Sequence, residues 1–147
     1  MAPRQTRWDN TAFYSGSDDP KITTTVESLR TEIASLTTLC EQFTKLIDNQ
    51  PAESAIPKTV KELEKAYNSQ LSIGRILRNT SMFIHSCLSV NARDAAASTW
   101  LPTLQQLGAQ LNNATHPMYG YLARAEEPVI ELLACLLYTS PSPRDRG

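Results

Sequence analysis

Residues 17–51 read SDDPKITTTVESLRTEIASLTTLCEQFTKLIDNQP, and the fold turns on how the apolar side chains in this stretch are spaced. Ile22, Val26, Leu29, Ile33, Leu36, Cys40, Phe43 and Ile47 follow one another at alternating steps of four and three, which holds them on one side of an α-helix. Asp18 or Asp19 offers a carboxylate to the free amides of a first turn, and Pro20 stands where a missing N–H costs nothing. The spacing therefore predicts a long helix opening at Pro20 and stopping within residues 49–51, where Asn and Pro break it. Thr23, Thr24 and Thr25 are poor helix formers, so packing must hold that turn. A seam of this length requires partner helices to cover it.

The partners can be read further along. After AESAIP, with Pro57 in a first turn, Val60, Leu63, Tyr67, Gln70, Gly74, Leu77, Ser81, Ile84 and Leu88 repeat the three-and-four spacing. Gly74 and Ser81 are small residues on the packed side, expected to let a neighbour come close. Asn91 is the expected cap of a third helix carrying Ala97, Trp100, Leu104, Leu107 and Leu111, with a kink or break near Thr99 caused by Pro102. NNATHPMYG, residues 112–120, reads as a breaker. A fourth helix is expected from about Pro117 through Met118, Tyr121 and Leu122, interrupted at Pro128 before VIELLA. No alternation of period two appears, so no strand is expected. The predicted architecture is all-α, an antiparallel bundle of long helices.

Composition fits one ordinary domain: 147 residues, 41% hydrophobic and 20% charged. A formal net charge of -1 and a pI near 6.1 leave no electrostatic footprint for nucleic acid or an anionic membrane. The apolar runs are too short to span a bilayer and MAPRQTRWDN has no secretory core, so a cytoplasmic protein is expected. Cys40, Cys87 and Cys135 form no C-x-x-C and are odd in number, which points to free, buried thiols. The charged run of Lys58, Lys61, Glu62, Glu64 and Lys65 reads as solvated helix surface.

Catalytic chemistry is not visible in these residues. The two histidines, His85 and His116, belong to no H-E-x-x-H pair and no nucleophile–base set. His85 and Cys87 are two apart, which on a helix aims them about 200° apart. His116 precedes a proline and reads as a cap or loop residue, and the adjacent Glu126 and Glu127 diverge on a helix. Phosphate loops and G-x-G-x-x-G are absent from the sequence. No catalytic, cofactor-binding or metal-ligating residue is assigned.

The opening RWDNTAFYSGSDDPKI, residues 7–22, resembles the start of the oligoendopeptidase F family, zinc metallopeptidases related to thimet oligopeptidase. Trp8, Asp9, Phe13, Tyr14, Asp19 and Pro20 supply the pattern, although Thr11 falls one place later than the usual Ser/Thr, or Ala12 replaces a Leu. The two long helices fit, as does LSVNARDAAASTWLPTLQQLGAQL at residues 88–111, where the family has a small-residue turn with Asp before a third helix. The resemblance covers residues 7–134. It implies a large all-helical enzyme that cuts short peptides inside a closed channel, with a zinc site on an H-E-x-x-H far downstream. This chain would then be the N-terminal helical part, walling the channel and inactive alone, with the C-terminal catalytic region as its packing partner. Trp8, Phe13 and Tyr14 are expected to anchor an N-terminal arm on the bundle rather than to touch substrate.

The other end changes character. Residues 135–145, CLLYTSPSPRD, resemble the translation of a transposase-type sequencing adapter. The expected organisation is thus an extended arm at 1–18, helical peptidase sequence at 19–134 and a non-native tail at 135–147. The competing reading is a free-standing helical scaffold that uses the seam of its first helix to bind a partner helix.

Overall fold

The computed structural model describes residues 14–139. Helices α1 Pro20–Asp48, α2 Ile56–Val90, α3 Ala95–Leu122 and α4 Glu127–Thr139, with one 3₁₀ turn at Glu53–Ala55, make up nearly all of that stretch. No strand occurs among the described residues. The all-α class read from the spacing is the one observed.

Helix α1 begins at Pro20 because Asp19 caps it. The Lys21 amide donates to Asp19 Oδ1 at 2.9 Å, and the Ile22 amide donates to the Asp19 carbonyl at 3.0 Å. Ile22, Val26, Leu29, Ile33, Leu36, Cys40 and Phe43 are all buried, so seven of the eight seam positions face the interior; Ile47 is half-buried. Burial pushes the Cys40 thiol up to about 11, which keeps it a neutral apolar filler. Each fully buried Leu, Ile or Phe contributes about 1.5–3 kcal/mol, and this sum offsets the weak propensity of the threonine turn.

The helices pack as two units, each taking part of α1, α2 and α3. In the first, residues 14–34 and 72–112, Ile22, Val26 and Leu29 share a core with Ile73, Leu77 and Ile84 of α2 and with Ala97, Leu104 and Leu107 of α3. Here α2 and α3 run antiparallel with reciprocal pairs. A Cβ on Gly74 would lie 3.9 Å from Leu111 Cδ2, and a Cβ on Gly108 would lie 3.9 Å from Leu77 Cδ2. In the second unit, residues 35–71 and 113–139, Leu36, Cys40 and Phe43 join Val60, Leu63 and Ala66, then Met118 and Tyr121, then Val129 and Leu133 of α4. The Phe43 and Tyr121 rings stack at 6.0 Å with an 11° interplanar angle. Tyr121 is fully buried, yet its hydroxyl has no hydrogen-bond partner among the described residues. Burial, and then the charge of Glu126, push its pKa up.

Several local expectations are corrected. Helix α3 runs unbroken from Ala95 to Leu122, through Pro102 and through the 112–120 stretch that reads as a breaker. The carbonyls that the two prolines leave without an amide belong to Ser98 and Asn113, and both residues are exposed, so water can satisfy them. The buried residues Ala97 and Leu104 on one unit, and Ala114 and Met118 on the other, hold the turns on either side of each proline. The fourth helix accordingly starts at Glu127 and not at Pro117, and Pro128 lies in its first turn, where proline is favoured. In α2 the fully covered positions include Ala66, Ile73 and Thr80, whereas Tyr67, Gln70, Gly74 and Ser81 are half-buried. Over a helix of 35 residues, the buried stripe drifts from a strict three-and-four seam because the helical repeat is 3.6. Asn91 does not cap α3, a role taken by Asp94.

Two substitutions test this packing. The glycines sit in helix interiors with room for a methyl group, so Gly74→Ala and Gly108→Ala should each stabilise the protein by about 0.5–1 kcal/mol, read as a higher urea midpoint at unchanged m-value. Tyr121→Phe removes a buried hydroxyl that pairs with none of the described residues and should leave stability unchanged or raise it by up to about 1 kcal/mol.

Candidate functional site

The polar groups of the first unit converge where α2 ends and α3 begins. Helix α2 stops at Val90, and Asn91 opens the turn: its Oδ1 accepts the Arg93 amide at 3.0 Å and its carbonyl accepts the Asp94 amide at 3.0 Å. Asp94 then caps α3, taking the Ala97 amide on Oδ1 at 3.0 Å and the Ser98 amide on its carbonyl at 3.0 Å. The same carboxylate receives the Ser17 hydroxyl, with Oγ 2.7 Å from Oδ1 and 2.8 Å from Oδ2. These bonds hold the Asp94 pKa below the usual carboxylate range, the Ala97 amide being the largest cause and the Ser17 hydroxyl the next.

Residues 14–19 form a strap across this end of the unit. Tyr14 is buried, and its ring lies against Phe83 at 5.2 Å with a 49° tilt. Its hydroxyl donates to Thr25 Oγ1 of α1 at 3.1 Å and therefore accepts from Thr80 Oγ1 of α2 at 2.9 Å. At the strap's other end Asp19 Oδ2 accepts the Ser15 amide at 2.8 Å and the Ser15 hydroxyl at 3.3 Å. The backbone amides of Lys21 and Ser15 hold the Asp19 carboxyl below its ordinary value. Tyr14 thus anchors the chain on the bundle, as expected for it; Trp8, Asp9 and Phe13 lie outside the described residues.

Beside the strap is an open hollow of about 580 Å³, with Ser17 and Asp18 on one side, Phe83, Cys87 and Val90 of α2 beneath, and Asp94 at the far edge. Its chemistry is that of a junction more than a reaction site. Burial, and then the charge of Asp94, push the Cys87 thiol up, the wrong direction for a nucleophile. His85 is exposed and does not line the hollow. His116 on α3 and Glu126 and Glu127 at the start of α4 are exposed in the other unit. Cys135 is exposed and Cys87 half-buried, not buried as the thiol reading expected; on α4 the buried side is the one that carries Val129 and Leu133, and Cys135 lies off it. Lys58, Lys61 and Lys65 are exposed along α2.

Among the described residues no group of three or more His, Cys, Asp or Glu is placed to hold a metal ion. The zinc implied by the resemblance therefore has no ligand set among them, and no zinc step is assigned to them. No described helix is long and apolar enough to cross a membrane.

Sequence reasoning missed Ser17, Thr25, Thr80 and Asp94 as the partners that join the strap to three helices. Asp94 carries a usable signal, an Asp directly ahead of three alanines. The Ser17–Asp94 and Tyr14–Thr80 bonds span 77 and 66 positions and have none. Tyr14→Phe would leave the buried Thr80 hydroxyl unpaired and should destabilise the protein by about 1–3 kcal/mol, read by thermal unfolding, in contrast to Tyr121→Phe.

Compared with known proteins, the chain matches no family profile, no curated protein and no solved structure.

Proposed function

We propose that these helices are the N-terminal region of a zinc-dependent oligoendopeptidase of the F type, a cytoplasmic hydrolase of short peptides. The observation that carries this reading is the spaced set Trp8-Asp9, Phe13-Tyr14 and Asp19-Pro20. The three members that fall among the described residues each have a definite physical task. Tyr14 is the buried anchor, Asp19 the cap and Pro20 the first helical residue, so a recurring pattern of these residue types at this spacing has a structural reason to exist. The helices would wall the substrate channel and supply no reacting group. Zinc, held by an H-E-x-x-H downstream, would polarise the peptide carbonyl and activate water.

The missing catalytic region is the partner proposed for the faces that this chain leaves uncovered. On α4, Ile130 is 40% exposed and Tyr138 is 90% exposed. Leu133 is buried, and Leu136 and Leu137 are half-buried. The scaffold alternative would need the α1 seam as its docking face, but that seam is already covered by the chain's own helices.

The test is to reread the gene past Ala134 from adapter-trimmed sequence. Several hundred further codons containing an H-E-x-x-H support the proposal, and an early stop codon overturns it. The full-length protein should then cleave a quenched fluorescent peptide in a chelator-sensitive manner, while the 147-residue chain alone should neither cleave it nor retain stoichiometric zinc.

A further inference from the structure

We propose that residues 15–19 act as a latched strap, which loosens in acid between its Tyr14 anchor and α1 while the helices beneath stay folded, widening the hollow beside it.

The strap is fastened at its two ends and at Ser17. Tyr14 bonds to Thr25 of α1 and Thr80 of α2, and Ser17 bonds to Asp94 of α3. Between those points it has little burial of its own: Ser15 and Asp18 are exposed, and Gly16 and Ser17 are half-buried. Two of its fastenings are carboxylates acting as acceptors. Asp19 holds the Ser15 amide, and Asp94 holds the Ser17 hydroxyl with both oxygens. Protonation turns one oxygen of each into a donor and removes the charge, which leaves a single, weaker acceptor oxygen where there were two.

The groups facing these carboxylates do not replace the lost acceptors. Asp19 faces the Lys21 ammonium of α1, with Asp18 next to it in the chain. Asp94 faces Ser17 of the strap and the Cys87 thiol of α2, which is neutral in acid; Arg93 adjoins it, and Asp18 lines the same hollow. Among the described residues, weakening both fastenings leaves the strap held by Tyr14 at one end and by the backbone bonds of Asp19 to Gly16 and Ile22 at the other. The helices themselves are joined by Ile22, Val26, Leu29, Ile73, Leu77 and Leu107, whose burial does not depend on protonation. A segment with few buried contacts at the edge of such a core opens at lower free energy than the core.

The direction in pH follows from the bonds. Both carboxyls are held below the ordinary value of 3.8, so the latch is fully made above that value and is lost as pH falls through the lower, folded-state values.

Amide-resolved NMR of the full chain, titrated from about pH 6 to about pH 2.5 with far-UV circular dichroism in parallel, tests the strap. The Ser15, Ser17 and Lys21 amides should shift together in a transition below about pH 4, while the Leu107 amide and the helical signal stay unchanged. Ser17→Ala should move that transition upward by up to about one pH unit, because Asp94 loses a bond to its charged form. Asp94→Asn keeps a capping acceptor but cannot titrate, and should abolish the Ser17 part of the transition. Loss of the strap and Leu107 signals at one shared midpoint would overturn the proposal. So would strap amides that do not move before the helices melt, or a Ser17→Ala transition at the parent pH.

Discussion

Covering the apolar side of α1 is the constraint on which the remaining structure depends. A helix of 29 residues that carries Ile22, Val26, Leu29, Ile33, Leu36, Cys40 and Phe43 along one side is unstable in water until other helices lie against it. In the first unit the cover comes from the later part of α2 and the earlier part of α3; in the second it comes from the earlier part of α2, the end of α3 and α4. The two prolines inside α3 are tolerated under the same constraint. Each removes one backbone bond at an exposed carbonyl, while buried side chains on either side keep the helix in contact with its core.

The two carboxylates that fasten the strap stand at helix starts. Asp19 starts α1 and Asp94 starts α3, and each carboxylate has a second task in fastening the strap. Tyr14 adds a buried hydroxyl that satisfies threonines on two different helices. The arrangement is economical: the groups that end and begin helices also fix where the chain enters the bundle. Tyr121 is the counterexample in the second unit, a fully buried tyrosine whose ring stacks on Phe43 while its hydroxyl pairs with none of the described residues.

For function, the described helices carry packing surfaces and a fastened junction, and the titratable groups are tuned toward structure. The Cys40 and Cys87 thiols are pushed toward their neutral form by burial, and the two shifted carboxylates are occupied by helix amides and serine hydroxyls. This suits a wall or support whose chemistry is supplied elsewhere, the role proposed for it within a peptidase.

The sequence by itself determined the all-α class, the seam of α1 and its start at Asp19-Pro20, because these follow from spacing and local backbone chemistry; Tyr14 was marked by the resemblance and by being an aromatic near the start of the chain. Tertiary structure alone decided that α3 continues through Pro102 and the 112–120 stretch, since local propensity counts a lost backbone bond but not the burial of Ala97, Leu104, Ala114 and Met118 that outweighs it. It also decided that Asp94 and not Asn91 caps α3, and that Ser17 and Thr80 fasten the strap. Those pairings join positions 77 and 66 residues apart, and no periodicity within one helix encodes which residues of two others will stand within hydrogen-bond reach.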